Sequence, residues 1–255
     1  MPPEPSVPPA HPLPLDLTAF TALSFDCYGT LIDWEAGIAS VIGPWARRHD
    51  AALTDEEVLV AYAENEAAVL REAPAILYPD ALRETFRRTG GTLGFPVTAD
   101  EADALGTSVP DWPAFDDSAE ALTILKRHYR LLILSNVDRD GFAASNARLG
   151  VEFDDILTAE DIGSYKPNPA NFEALGARAA EVGVAGRLLH VAQSLFHDHV
   201  PAQQFDLPGV WIDRRHDRPG WGATPDPRAS VSPDAAYPTL IAFARAVEEA
   251  FATRS

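Results

Sequence analysis

The residues of this chain best suited to chemistry are a few polar side chains that follow short apolar runs. Asp26 and Thr30 come after Thr-Ala-Leu-Ser-Phe at 21–25, Ser135 and Asn136 after Arg-Leu-Leu-Ile-Leu at 130–134, and Gln193, Ser194 and Asp198 after Arg-Leu-Leu-His-Val at 187–191. Lys166 stands in a loop between the last two sets. Any one of these has an ordinary structural explanation, as a turn former, a helix cap or a surface loop. Their joint occurrence does not, because a buried carboxylate needs a cation and hydrogen-bond donors to stay ionised. Held so in a dry site, a carboxylate can be aimed at carbon or phosphorus.

For these side chains to meet, the apolar runs must be strands of one sheet. Between residues 111 and 255, stretches of helical character alternate with short strands that are apolar along their whole length, around 130–134, 156, 187–191 and 209–212. That pattern predicts a parallel sheet covered by helices on both faces, with the ligand at the carboxyl ends of the strands. From residue 34 to 110 the pattern is helical only, including 55–71 and 80–89. The expected fold is therefore α/β: a Rossmann-like core of residues 19–33 and 111–255 with a helical cap of residues 34–110 inserted after the first strand. Residues 1–18 read as a proline-rich extended tail, 216–233 as a loop, and 239–251 as a final helix.

At 255 residues and 46% hydrophobic content, the chain has ample material for a core. Its net charge of −18 offers no electrostatic footprint for nucleic acid or an anionic membrane. A small anionic substrate would need positive charge or donors within the site itself. The single cysteine, Cys27, rules out an intrachain disulfide and fits a reducing, cytoplasmic setting, and neither a signal peptide nor a membrane span is legible.

Four strings, Phe25-Asp-Cys-Tyr-Gly-Thr-Leu-Ile-Asp-Trp34, Leu134-Ser-Asn136, Tyr165-Lys-Pro167 and His190-Val-Ala-Gln-Ser-Leu-Phe-His-Asp198, resemble the ordered motifs of the haloacid dehalogenase superfamily. The resemblance covers about residues 21–213, and the helical insertion lies where that family carries its cap. It implies Asp26 as a nucleophile that forms a covalent ester, Thr30 and Ser135 as its hydrogen-bond partners, Lys166 as its cation and Asp198 as an orienting or water-activating acid. Cys27, Tyr28, Trp34, Asn136, Phe172, Gln193 and Ser194 are the expected lining of the substrate site. The Cys27 side chain is itself expected to pack as a small apolar residue. Relatives are often dimers, which leaves a homodimer open.

Most members of the superfamily are Mg²⁺-dependent phosphatases with a second acid two residues after the nucleophile. Here that position is Tyr28, a phenol with an ordinary pKa of about 10 and so a poor general acid. Where phosphatases carry Gly-Asp-Ser, this chain has Ala192-Gln193-Ser194. A neutral amide in place of a carboxylate weakens a site for a hard cation, so no metal or other cofactor is expected.

An aromatic in place of the second acid resembles the L-2-haloacid dehalogenases, which need no metal and give 2-hydroxy acids. Halide leaves without protonation, which makes Tyr28 acceptable there. Two features depart from that group. The helix that should carry a cap arginine reads Ala61-Tyr-Ala-Glu-Asn-Glu66, with Arg71 the nearest arginine, and a tyrosine expected six residues after the lysine is Phe172. A phosphatase of a small phosphometabolite and a non-catalytic small-molecule binding relative remain the alternatives. His190, His197 and His199 read as structural.

Overall fold

The computed structural model describes residues 15–254. The expected proline-rich tail lies outside this range except for its last residues, of which 17–19 form a short 3₁₀ turn with Leu17 buried. Its carbonyl accepts the Tyr129 hydroxyl at 2.9 Å.

Strand β1 (Ala22–Phe25) is buried at every position and lies at the centre of the sheet. β2 (Arg130–Ser135) and β4 (Leu188–Ala192) flank it, and β3 (Asp155–Thr158), β5 (Gly209–Ile212) and β6 (Ala235–Tyr237) complete the order β3-β2-β1-β4-β5-β6. Every pairing is parallel. Phe25 is in register with Ile133 on one side and Val191 on the other, so β1, β2 and β4 present their carboxyl ends together. The chain reverses its order across the sheet at this point, which is where such sheets hold ligands.

Helices α5 (Ser118–Leu125), α6 (Arg139–Leu149) and α10 (Leu240–Ala252) bury Leu122, Phe142 and Phe243 with the residues of one sheet face, including Leu131 and Ile133. On the other face α8 (Pro169–Glu181) and α9 (Val200–Gln204) pack Phe172, Leu175 and Ala202 with Leu132, Leu134 and Leu188. This two-sided burial is why the strands are apolar throughout instead of alternating. A short α7 (Ala159–Ile162) follows β3.

Between β1 and α5 lie four helices: α1 (Trp34–His49), α2 (Asp55–Glu72), α3 (Tyr78–Leu93) and α4 (Ala99–Gly106). α2 begins with a capping box formed by Thr54 and Glu57. The residues it buries, Val58, Leu59, Tyr62, Glu66, Val69 and Leu70, recur at helical spacing and face the core. Where the chain leaves and re-enters the core, the two crossings are bonded to each other, Asp33 N to Pro113 O at 2.8 Å and Phe115 N to Leu31 O at 3.1 Å. Trp112 packs so closely on α1 that a Cβ at Gly37 would lie 2.3 Å from its ring.

A third connection comes from the segment after β5. Arg215 donates to Glu35 of α1 at 2.6 Å and to both carboxylate oxygens of Glu56 of α2 at 2.8 Å. The Ala223 amide donates to the other oxygen of Glu35 at 2.8 Å. Just before the stretch read as a loop, Arg215 thus places a buried guanidinium that straps the cap to the core. Among the described residues no helix is long and apolar enough to cross a membrane.

Two elements differ from the sequence reading. β6 was not legible, being three residues long and only half-buried at the sheet edge. The helical stretch expected between the strands at 187–191 and 209–212 is a wide π turn at Leu195–His199 that runs into α9.

Candidate active site

Asp26 follows β1 and is buried. Its Oδ1 accepts from Lys166 Nζ at 2.9 Å and its Oδ2 from the Thr30 hydroxyl at 2.7 Å. Thr30 is fixed in turn by the Gln193 amide, which donates to its oxygen at 2.9 Å. The turn between them needs Gly29, whose φ is +95° and whose Cβ would stand 3.1 Å from Trp34 Nε1 and 3.2 Å from Gln193 Oε1.

Lys166 is held by Asn136 through a reciprocal pair, Lys166 N to Asn136 Oδ1 at 2.7 Å and Asn136 Nδ2 to Lys166 O at 3.0 Å. Its ammonium donates to Asp26, to Leu134 O at 2.9 Å and to Asp198 Oδ1 at 2.7 Å. An ammonium has three donors, and all three are engaged. Its charge is balanced within the protein by Asp26 and Asp198.

Asp198 Oδ1 also accepts from His190 Nε2 at 2.9 Å. An ionised carboxylate can only accept, so Nε2 carries the proton, and His190 Nδ1 meets Ser24 Oγ at 2.9 Å. Although Asp198 is fully buried, Lys166 and His190 hold its carboxyl far below the ordinary value. Its Oδ2 is buried and unpartnered among the described residues. Asp26 shifts the other way, raised by burial and by the Asp198 charge against the pull of Lys166 and Thr30.

Asp26, Tyr28, Trp34, Asn136, Lys166, Ser194 and Asp198 line one small cavity of about 30 Å³, as the sequence led us to expect. Other expectations are corrected. The Ser135 hydroxyl does not bond Asp26; it is buried without a partner among the described residues. Cys27 is fully buried in the hydrophobic core, where burial pushes its thiol pKa up, and does not line the cavity. The side chain of Gln193 lines a neighbouring hollow beside Arg214 and Arg215, and its contribution to the site is its backbone amide. Phe172, one turn into α8 and apolar, is drawn into the core on the opposite face, stacked on Phe205 and edge-on to His190. The Tyr28 hydroxyl is bound by α6, to Gly141 O at 3.2 Å and Ser145 Oγ at 2.8 Å, and burial lifts its pKa well above 10.

The same cavity is lined by residues that the sequence reading did not place there. His197 faces it; burial lowers its pKa to about 4, so it is neutral at physiological pH, with Nδ1 3.1 Å from Ser194 Oγ. His190, also read as structural, positions Asp198, whereas the His199 ring bonds to Ala192 O. From the cap come Leu70, Tyr78 and Glu66. Glu66 is 4% exposed, and its Oε1 accepts the hydroxyls of Tyr62 at 2.9 Å and Tyr78 at 3.1 Å. Its place in the buried stripe of α2, four residues after Tyr62, was the signal that could have found it.

The superfamily's magnesium chemistry does not fit these donors. Asp26 and Asp198 each give an oxygen to Lys166, whose ammonium lies between them. Gln193 supplies no carboxylate, and among the described residues no group of three His, Cys, Asp or Glu side chains could hold a metal ion.

The fold is shared with solved enzymes of low sequence identity. A defluorinating L-2-haloacid dehalogenase superposes with a TM-score of 0.70 at 21% identity, over 90% of this chain and 95% of its own. An L-2-haloacid dehalogenase from Xanthobacter autotrophicus with chloropropionic acid covalently bound gives 0.69 at 20%, over 90% and 98%. The HAD-hydrolase YfnB from Bacillus subtilis, bound to magnesium, gives 0.68 at 16%, over 90% and 99%. At these identities the likeness establishes the fold alone. No curated protein sequence matches the chain. The haloacid dehalogenase-like hydrolase family model matches residues 20–185, most of the chain and three of its four motif strings, and the protein belongs to that family of hydrolases.

Proposed function

We propose that the protein is a metal-independent 2-haloacid dehalogenase that works through an ester on Asp26. The observation that carries this reading is the state of Asp26 itself: a buried carboxylate fixed by Lys166 and Thr30, in a small cavity whose nearest phenol, Tyr28, is tied to α6 and cannot serve as an acid. An Asp26 oxygen attacks the carbon bearing halogen, the carbon–halogen bond breaks, and halide departs with the bonding pair. Water then adds to the Asp26 carboxyl carbon, releasing a 2-hydroxy acid and restoring the carboxylate. Asp198 Oδ2, buried and without a partner among the described residues, is the acceptor that orients this water.

The cavity of about 30 Å³ has room for only two or three water-sized groups at roughly 10–15 Å³ each, which favours a small substrate over a bulky one. The partner is a small anionic molecule, not nucleic acid or membrane. The two alternatives are less well supported. A phosphatase would need the metal donor that Gln193 replaces, and a binding module has no need of a fixed nucleophile.

The test is halide release from chloro- and bromoacetate and 2-halopropionates with EDTA present, beside phosphate release from small phosphoesters, and a single turnover in H₂¹⁸O with enzyme in excess. Halide release is expected to be indifferent to EDTA. The 2-hydroxy acid should be unlabelled and the peptide containing Asp26 should carry ¹⁸O. Labelled product with an unlabelled peptide would overturn the ester, and Mg²⁺-dependent phosphate release without halide release would overturn the dehalogenase.

A further inference from the structure

We propose that Glu66 is the acid that protonates the departing group when Asp26 attacks, so that the enzyme can cleave 2-haloacids whose halide is a poor leaving group, fluoride above all. This rests on the dehalogenase reading and adds to it a catalytic residue contributed by the cap.

Glu66 is an unusual acid for a helix such as α2. Its neighbour Glu64 is exposed, as most helix carboxylates are, whereas Glu66 points inward and lines the cavity with Asp26. No lysine or arginine pairs with it among the described residues, so it is not half of a structural ion pair. Both tyrosine hydroxyls go to the same oxygen, Oε1. That leaves Oε2 as the atom without a partner among the described residues and the one that carries the proton when Glu66 is neutral.

The groups around it suit a proton donor. Burial favours the neutral acid, while the Tyr62 and Tyr78 hydroxyls favour the carboxylate, and the balance places the pKa at about 7. The other ionisable groups nearby are Tyr165 and, across the cavity, Asp26, Asp198, Lys166 and neutral His197. Since Lys166 is balanced by its own partners, an anionic substrate raises the Glu66 pKa further and keeps it protonated until the reaction begins.

The step balances. The Asp26 oxygen bonds to carbon, the carbon–halogen bond breaks with its pair on halogen, and the Oε2 proton of Glu66 passes to that halogen. Glu66 is left as a carboxylate held by two tyrosine donors. When water cleaves the ester, one of its protons goes to the product oxygen and the other returns to Glu66, so the sum is haloacid plus water to hydroxy acid plus hydrogen halide. Of the halides only fluoride is basic enough to need this proton.

The test compares fluoroacetate with bromoacetate in the wild type, in Glu66→Gln and in Tyr62→Phe, with folding checked by thermal melting. Glutamine keeps an oxygen for both tyrosines and lacks the acidic proton. Glu66→Gln should lower fluoride release by about 100-fold more than bromide release, within the usual range for a general acid. Wild-type kcat/KM for fluoride release, which reports the free enzyme, should fall as pH rises through about 7. Tyr62→Phe, which removes a donor to the carboxylate, should move that fall to higher pH. Equal losses on both halides in Glu66→Gln, or no basic limb in the wild type, would overturn the role of Glu66 and leave the dehalogenase standing. Failure of the wild type to release bromide would overturn both.

Discussion

Asp26→Asn should abolish turnover, by about 10⁴-fold or more, while the protein keeps its fold. The amide is a far weaker nucleophile. Folding should survive because asparagine still offers one oxygen to Lys166, and its amide can donate to Thr30, whose hydroxyl already accepts from Gln193. Thermal melting, halide release and mass measurement of the purified variant, to exclude deamidation, make the check. Activity above a tenth of wild type would remove Asp26 as the nucleophile.

Lys166→Met should damage both stability and catalysis. The variant leaves Asp26 and Asp198 buried side by side without the cation that bonds both, and breaking a buried pair in this way costs about 3–5 kcal/mol. The sign of the pH dependence follows. In the wild type the Asp198 pKa is depressed, so its share of the stability is present above the unfolded carboxylate value and lost as pH falls through the folded one. Without Lys166, burial and mutual repulsion raise the folded pKa values of the pair. The variant is then least destabilised at acid pH and loses stability as pH rises through those values. Urea unfolding at pH 5 and pH 8 should show the larger deficit at pH 8, and turnover should fall by about 10²–10³-fold. A deficit below about 1 kcal/mol at pH 8 would mean that Lys166 is not the partner that keeps both carboxylates ionised.

The sequence showed the core side of this site well and the cap side poorly, for physical reasons. Asp26 was legible because strands buried on both faces are largely apolar, so the acid that follows one stands out; Asn136, Lys166 and Asp198 were legible through the ordered motif strings that follow it. Glu66 was hidden because an acid in a run such as Glu-Asn-Glu reads as a solvated helix face; its second partner, Tyr78, lies on a different helix. His197 was misjudged because the π turn at Leu195–His199 directs its side chain into the cavity, which an ordinary helical reading does not foresee. Phe172 was assigned through a motif position, but its apolar ring in the first turns of α8 is buried under the sheet. Arg215 stands between the last legible strand and a stretch rich in proline, glycine and arginine, where no periodicity marks it. Only Glu35 and Glu56, distant in sequence, explain its burial.

The strap formed by Arg215 bears on how the enzyme admits its substrate. It grips α2 near its first residue, at Glu56, whereas Leu70 and Arg71, 15 residues and about 22 Å further along the helix, border a second cavity of about 290 Å³. That cavity shares Leu70, Lys166 and His197 with the one around Asp26 and is closed on the core side by 164–168 and Phe196. Across this seam the cap and core are joined by one hydrogen bond, from the Tyr165 hydroxyl to Ile76 O at 2.6 Å. Ion pairs fasten the first turn of α2 to the segment after β5, whereas among the described residues one neutral hydrogen bond closes the seam beside its other end. That second cavity is bordered by Arg71, an exposed guanidinium without an ion pair among the described residues, which puts a free positive charge beside the site in a chain whose net charge is −18.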